Sequence, residues 1–254
     1  MKRNWMMIVL GLLCATTAQA QWRNGEVTVR TNGNVFESGD KVKVELLALE
    51  KIDEPFYAQV IYAYTETVEE KETDDKGETK TTYKQVERQR KRDASPVIEL
   101  LDKYQSFVLD DRFHFGDVTP AGGYEIRVCI FNPYTKVLMT VLRTCIKHSN
   151  PEAAQVSQAG CDTYLRSFKR YNNSKFLTFD GWFRQSSNYV AVLMQGGRVV
   201  THLRVGAYTS GSDELNLSGQ ELEGLTGKTF DVLIHDFQRG ISSTLSRVTL
   251  PVGN

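Results

Sequence analysis

The chain has 254 residues, 41% hydrophobic and 24% charged, and its 31 basic and 31 acidic side chains cancel. That balance excludes a dedicated nucleic-acid binder, which carries a basic excess, and an acidic disordered tail protein. The length allows one or two domains, either of them able to bury a core.

The N-terminus reads as an address. Lys2 and Arg3 precede an apolar run from Met6 to Ala15, closed by Ala18-Gln19-Ala20 with small residues at both cleavage-site positions. This is the three-part pattern of a secretory signal peptide over residues 1–20, cut after Ala20. The run of about ten residues is too short for the ~20 that span a bilayer. A membrane anchor and lipidation at Cys14 are the other readings, and Leu13 stands where a lipoprotein signal has a small residue. The mature chain keeps 29 bases against 31 acids, with no further segment long and apolar enough to cross a membrane. An exported protein is expected, periplasmic, extracellular or at the cell surface.

The mature chain reads as strands nearly throughout. Val27–Thr31 and Val42–Leu46 alternate apolar and polar residues around a Ser38-Gly39-Asp40 turn. Phe56–Tyr64 is aromatic and β-branched, Ser106–Leu109 is short, Tyr124–Ile130 has period two, and Val137–Ile146 follows Asn132-Pro133. Short strands broken by Gly, Asn, Asp and Pro turns indicate an antiparallel sandwich. Pro96–Lys103 and Gly219–Gly227 read as helical turns or loops. His148–Gly160 is polar or small and lacks a strand pattern, so residues 149–160 are expected to be a linker, with a short helix over Pro151–Gln158 as the other reading. A second strand series follows: Phe176–Phe179, Tyr189–Met194, Val199–Val205, Glu214–Leu217, Thr229–His235 and Ser243–Val252. Gln195-Gly196-Gly197-Arg198 has the composition of a hairpin turn.

Gly123–Val128 and Lys228–Ile234 share an aromatic, an acid and then β-branched residues, and each is followed by a turn and a last strand. Glu37–Val44 resembles the turn-and-strand opening of bacterial immunoglobulin-like and fibronectin-III-like modules, and the Gly-Tyr-x-Ile-x-Val strand at Gly123–Val128 is similar to their closing strand. The resemblance is at fold level and covers these short segments only. It implies binding or spacer modules. The immunoglobulin Cys…Trp…Cys pattern is absent, since Trp22 is the only tryptophan of the mature first half.

The most distinctive segment is Glu66–Arg92. Seven acids (Glu66, Glu69, Glu70, Glu72, Asp74, Asp75, Glu78) come first, and six bases (Lys80, Lys84, Arg88, Arg90, Lys91, Arg92) follow. Asp75-Lys76-Gly77-Glu78 between them is a turn sequence. The expected structure is a protruding charged hairpin over residues 65–92. With Lys76-Gly77 as the loop, Glu69 faces Lys84, Thr65 faces Arg88, and Glu66 meets Glu87. Opposite charges across strands contribute roughly 0.2–1 kcal/mol each. The other reading is a disordered charged loop. The basic run Arg88–Arg92 could meet an anionic polymer or lipid headgroup. Asp74 and Asp75 lack the Asp-x-Asp-x-Asp-Gly spacing of a calcium loop.

The mature chain has three cysteines, 129, 145 and 161, so at least one is unpaired in the monomer. A tight loop at Asn132–Thr135 places Cys129 opposite Leu138 and far from Cys145. Cys145–Cys161 is therefore the candidate disulfide, with free buried thiols as the other reading. The four histidines are scattered, and no zinc spacing, nucleophile elbow, phosphate loop or dinucleotide fingerprint occurs. No cofactor and no catalytic residues are expected. Phe179, Trp182, Phe183 and Tyr189 cluster in sequence, and alternation puts Trp182 on the exposed face beside Arg184, where it could stack on a sugar ring; the other reading is that these aromatics form the core and rim of the second domain.

The sequence thus reads as an all-β protein of two tandem antiparallel sandwich domains, residues 21–148 with the charged hairpin and 161–254. The first carries 19 bases and 22 acids, the second 10 and 8. The expected function is a non-catalytic adaptor or scaffold that binds a protein partner, with Glu69, Lys84, Arg88 and Arg90 among the contact residues. A carbohydrate-binding module using Trp182 and Arg184 is the alternative, and an exported enzyme the weaker one.

Overall fold

The structure, a computed structural model, describes residues 27–75, 77–116, 119–150, 155–156, 164–170, 176–182, 189–205, 214–218, 224–236 and 239–250. For 155–156, 164–170, 176–182, 204–205 and 214–218 only the backbone is described. In chain order the strands are β1 (Val27–Thr31), β2 (Val35–Phe36), β3 (Lys41–Ala48), β4 (Tyr57–Thr73), β5 (Thr79–Lys91), β6 (Ser106–His114), β7 (Ala121–Phe131) and β8 (Leu138–His148). They continue with β9 (Gln155–Val156), β10 (Tyr164–Arg170), β11 (Phe176–Trp182), β12 (Tyr189–Gln195), β13 (Arg198–Val205), β14 (Glu214–Ser218), β15 (Thr229–Asp236) and β16 (Ile241–Thr249). Among the described residues there is no helix.

The first half is a sandwich of two layers. One is the sheet β1-β3-β6, the other the run β8-β7-β4-β5. Alternation decides what faces the gap. Val42, Val44, Leu46 and Ala48 of β3 meet Ala58, Val60 and Tyr62 of β4 and Tyr124, Ile126, Val128 and Ile130 of β7 in one core. Burial of each Val, Leu or Ile side chain here contributes roughly 1.5–3 kcal/mol. In the β7–β8 hairpin Cys129 lies opposite Val141. The expectation of Leu138 is corrected: Asn132–Val137 forms a longer loop, in which the Asn132 carboxamide accepts from the Tyr134 and Thr135 amides.

The second half has its own core of Tyr189, Ala191, Leu193, Phe230, Val232, Ile234 and Val248. Gly196 and Gly197, both with positive φ, turn β12 into β13. Two contacts between the halves shape the fold. Ile241 and Ser242 of β16 pair in parallel with Arg143 and Thr144 of β8, so one ten-stranded sheet runs β13-β12-β15-β16-β8-β7-β4-β5, with β2 on β8 and β9 on β7. And the far end of β3 is apolar on both faces. Its second face, Leu47 with Leu49 beyond it, packs on Val190, Val192, Met194 and Leu233. The sheet β1-β3-β6 therefore lies between the two ends of the large sheet. Within the segment read as linker, Gln155 and Val156 add in parallel to Ala121 and Gly122. The backbone of β10-β11-β14 forms a third sheet.

Candidate functional site: the projecting arm and its base

β4 belongs to the body only over its first part. Tyr57–Ala63 pairs with β7, and Tyr64–Thr73 continues with β5 as its one partner among the described residues. These ten residues carry the ribbon roughly 33 Å past the sheet. Every residue of β5 is exposed except the half-buried Val86. Tyr83 is 73% exposed.

The register departs from the expected one by a single residue. Thr73 lies opposite Thr79, Glu69 opposite Tyr83, Thr65 opposite Glu87 and Glu66 opposite Val86. The tip explains the slip. Asp74 and Glu78 form the closing pair: the Asp74 amide donates to the Glu78 carbonyl at 2.9 Å, and the Glu78 amide donates to the Asp74 carboxylate at 2.8 Å. Gly77 takes φ of +81°. This is a three-residue loop with glycine in the left-handed region, not the two-residue loop that Lys76-Gly77 suggested.

A one-residue slip exchanges faces. Directly opposed residues point to the same side, so Glu66, Glu70 and Glu72 of β4 now share a face with Lys80, Lys84, Arg88 and Arg90 of β5. The facing charges are mostly diagonal. Arg88 reaches Glu66 at 2.6 Å and Lys84 reaches Glu70 at 3.7 Å, while Glu72 and Lys80 are directly opposed. The other face carries Thr65, Thr67, Thr73, Thr79, Thr81, Gln85, Gln89 and Tyr83, together with the charged Glu69, Lys71 and Glu87.

The base of the arm is tied to the body by residues that the sequence reading passed over. Arg127 of β7 donates two hydrogen bonds to the Glu87 carboxylate, at 3.0 and 2.6 Å, and one from Nε to Glu125 at 2.7 Å. Glu125 is only 3% exposed and also faces Arg143 at 3.6 Å. The Arg127 bonds, joined by one from Gln89, hold the Glu87 carboxyl down at about 2. On the other face, Arg92 and Tyr62 both donate to the buried Asp110, at 2.7 and 2.8 Å. Burial alone would raise the Asp110 carboxyl, and these bonds outweigh it and hold it below its usual value. Arg90 sits over the Phe113 ring at 5.7 Å. The signal was present in Tyr124–Ile130: a strand with an apolar face carries Glu125 and Arg127 at alternate positions on the other one.

Other candidate residues fall elsewhere. Trp182 ends β11, its backbone opposite Tyr164, and its side chain lies outside the description, as do Arg184, Cys161 and Ala20. Cys145 is disulfide-bonded and buried, and Cys129 is a free thiol whose pKa burial raises. Ser242 Oγ lies 2.9 Å from His235 Nδ1 and 2.6 Å from Thr28 Oγ1. All three side chains are fully buried, so this trio ties β1, β15 and β16 together and offers solvent no nucleophile. Among the described residues no group of three or more His, Cys, Asp or Glu is placed to hold a metal ion, and no helix is long and apolar enough to cross a membrane.

No protein-family model matches the chain, and no curated protein matches it either. Among solved structures, it is similar to a Salmonella alpha-2-macroglobulin reacted with methylamine, at TM-score 0.29 and 10% identity over 90% of this chain and 15% of that one. A mutant of that macroglobulin gives 0.27 at 10% identity over the same shares. The E. coli chaperone DraB gives 0.22 at 12% identity, over 87% of this chain and 98% of that one. The chain thus spans about 15% of the length of the macroglobulins. Likeness at this level carries neither fold family nor function.

Proposed function

We propose that this is an exported, non-catalytic binding module that engages a protein partner through the β4–β5 arm. The observation behind the proposal is the arm itself. An isolated two-stranded ribbon is marginal in water. Here one extends about ten residues past its sheet, buries almost nothing, and is anchored at its base by a bidentate arginine. Such an element adds little to the core. Its geometry suits contact with something outside the chain.

The body is read as two tandem immunoglobulin-like sandwiches, supported by two separate apolar cores and by a closing hairpin in each half. The glycan reading rests on Trp182 and Arg184, and it gains if Trp182→Ala abolishes retention on a glycan column.

The test is site-specific photo-crosslinking in the source cells. A crosslinking residue replaces Tyr83 on the arm and, as a control, the exposed Val97 outside it. The proposal expects one discrete protein adduct from position 83 and none from position 97. Equal or absent adducts at the two positions would overturn it.

A further inference from the structure

We propose that the outer edge of β5 docks an extended acidic peptide segment of the partner, which adds to the arm as a further strand. This rests on the arm being the contact element, and it specifies the chemistry that the arm selects.

β5 ends the ten-stranded sheet and pairs among the described residues with β4 alone. Its outer edge is therefore a row of main-chain groups able to template another strand. On one face of that edge stand Lys80, Lys84, Arg88 and Arg90, all exposed. β4 shows on the inner side what complements them: carboxylates at alternating positions, Glu66 against Arg88 and Glu70 against Lys84. The Lys84 and Arg88 side chains stay 65% and 52% exposed in those pairs. An ammonium has three donors and a guanidinium five, so each base has capacity for a second carboxylate on its open side.

Charged side chains on an edge strand ordinarily keep other strands away. Here they discriminate. A second copy of β5, paired antiparallel about Val86, would set Lys84 against Arg88 of the second copy, and like charges directly opposite are destabilising. A basic strand meets the same penalty, and a neutral one offers the open side of each base no second carboxylate. An acidic strand alone is favoured, with specificity coming from repulsion of the rest. On the opposite face Thr79, Thr81, Tyr83 and Gln85 of β5 would lie beside the alternate side chains of the added strand.

The test uses the mature chain and three labelled synthetic peptides of about a dozen residues, matched to the length of β5. One alternates Glu and Thr, one has the same composition in two blocks, and one alternates Lys and Thr. Fluorescence anisotropy should show the alternating acidic peptide binding at least ~10-fold tighter than the block peptide, a difference of about 1.4 kcal/mol. The lysine peptide should not bind. The pair K80E and K84E should lower the acidic peptide's affinity ~10-fold or more, and K80Q with K84Q should lower it less. An isotope-labelled carbonyl in the bound peptide should move to the β-sheet infrared band. Equal binding of the alternating and block peptides, indifference to the lysine changes, or failure of every peptide to bind would each overturn the proposal. Capture by phosphatidylglycerol vesicles with no peptide bound would assign the basic column to a membrane surface and overturn it too. If position 83 still crosslinks a partner while no acidic peptide binds, the contact-arm reading stands and only the acidic-strand proposal is lost. If position 83 yields no adduct, the underlying reading is lost.

Discussion

Arg127 is the residue on which the base of the arm turns, because one guanidinium serves two carboxylates, one of them buried. Arg127→Met removes the nearest cation from Glu125 and releases Glu87. A loss of about 2–3 kcal/mol is expected, since breaking a buried pair strands a charge, and denaturant midpoints will measure it. The Glu87 part has a definite pH signature. Its folded pKa of about 2 lies below the ordinary 4.5, so its contribution is fully present above pH 4.5 and lost as pH falls from there through 2. The side chain is partly exposed, so the effect is well under 1 kcal/mol. Glu87→Gln should flatten that portion of the stability-against-pH curve, and an unchanged slope would count against the clamp. Thr144 makes the opposite case. Its hydroxyl is buried with no hydrogen-bond partner among the described residues, so Thr144→Val should raise stability by about 1 kcal/mol.

At the scale of elements, the arm and the body should separate cleanly. Thr67 and Gln85 are directly opposed, so residues 68–84 can be replaced by Asn-Gly, a two-residue hairpin turn, with Glu87 and Arg127 left in place. Because the removed strand ends are exposed, the melting temperature should move by no more than a few degrees. The arm also marks the limit of what the sequence discloses. The acidic and basic halves and the glycine turn point to a hairpin. The loop length does not follow from composition, because it is fixed by the Asp74 carboxylate accepting the Glu78 amide. That one bond moves the register by a residue and gathers acids and bases on a common face. Cys145 and Cys129 show the same limit. Spacing separates them, but only the β7–β8 register assigns Cys129 to Val141. For the disulfide of Cys145, a nonreducing peptide map is expected to recover a fragment linked to Cys161.

The whole molecule is more tightly joined than a pair of sandwiches on a linker would be. Periodicity identifies β3 as a strand and Val42, Val44 and Leu46 as its inner face. Leu47 and Leu49 break the alternation, and they do so because the second half covers them. The parallel bridge from β16 to β8 leaves no trace in the sequence, since main-chain pairing across a distance of about a hundred residues is set by tertiary packing. The chain should therefore unfold in one calorimetric transition. Leu47→Ala should destabilise both halves together by about 3 kcal/mol, the usual cost of a buried leucine, and two resolved transitions would contradict the shared middle layer.

On the proposed function, the body presents the arm to a partner. The most direct measurement is the affinity of the partner crosslinked at position 83 for the intact chain and for the chain with 68–84 replaced by Asn-Gly. At least a ~100-fold loss, about 2.7 kcal/mol, is expected with the fold retained. Unchanged affinity in a folded, arm-less chain would contradict it.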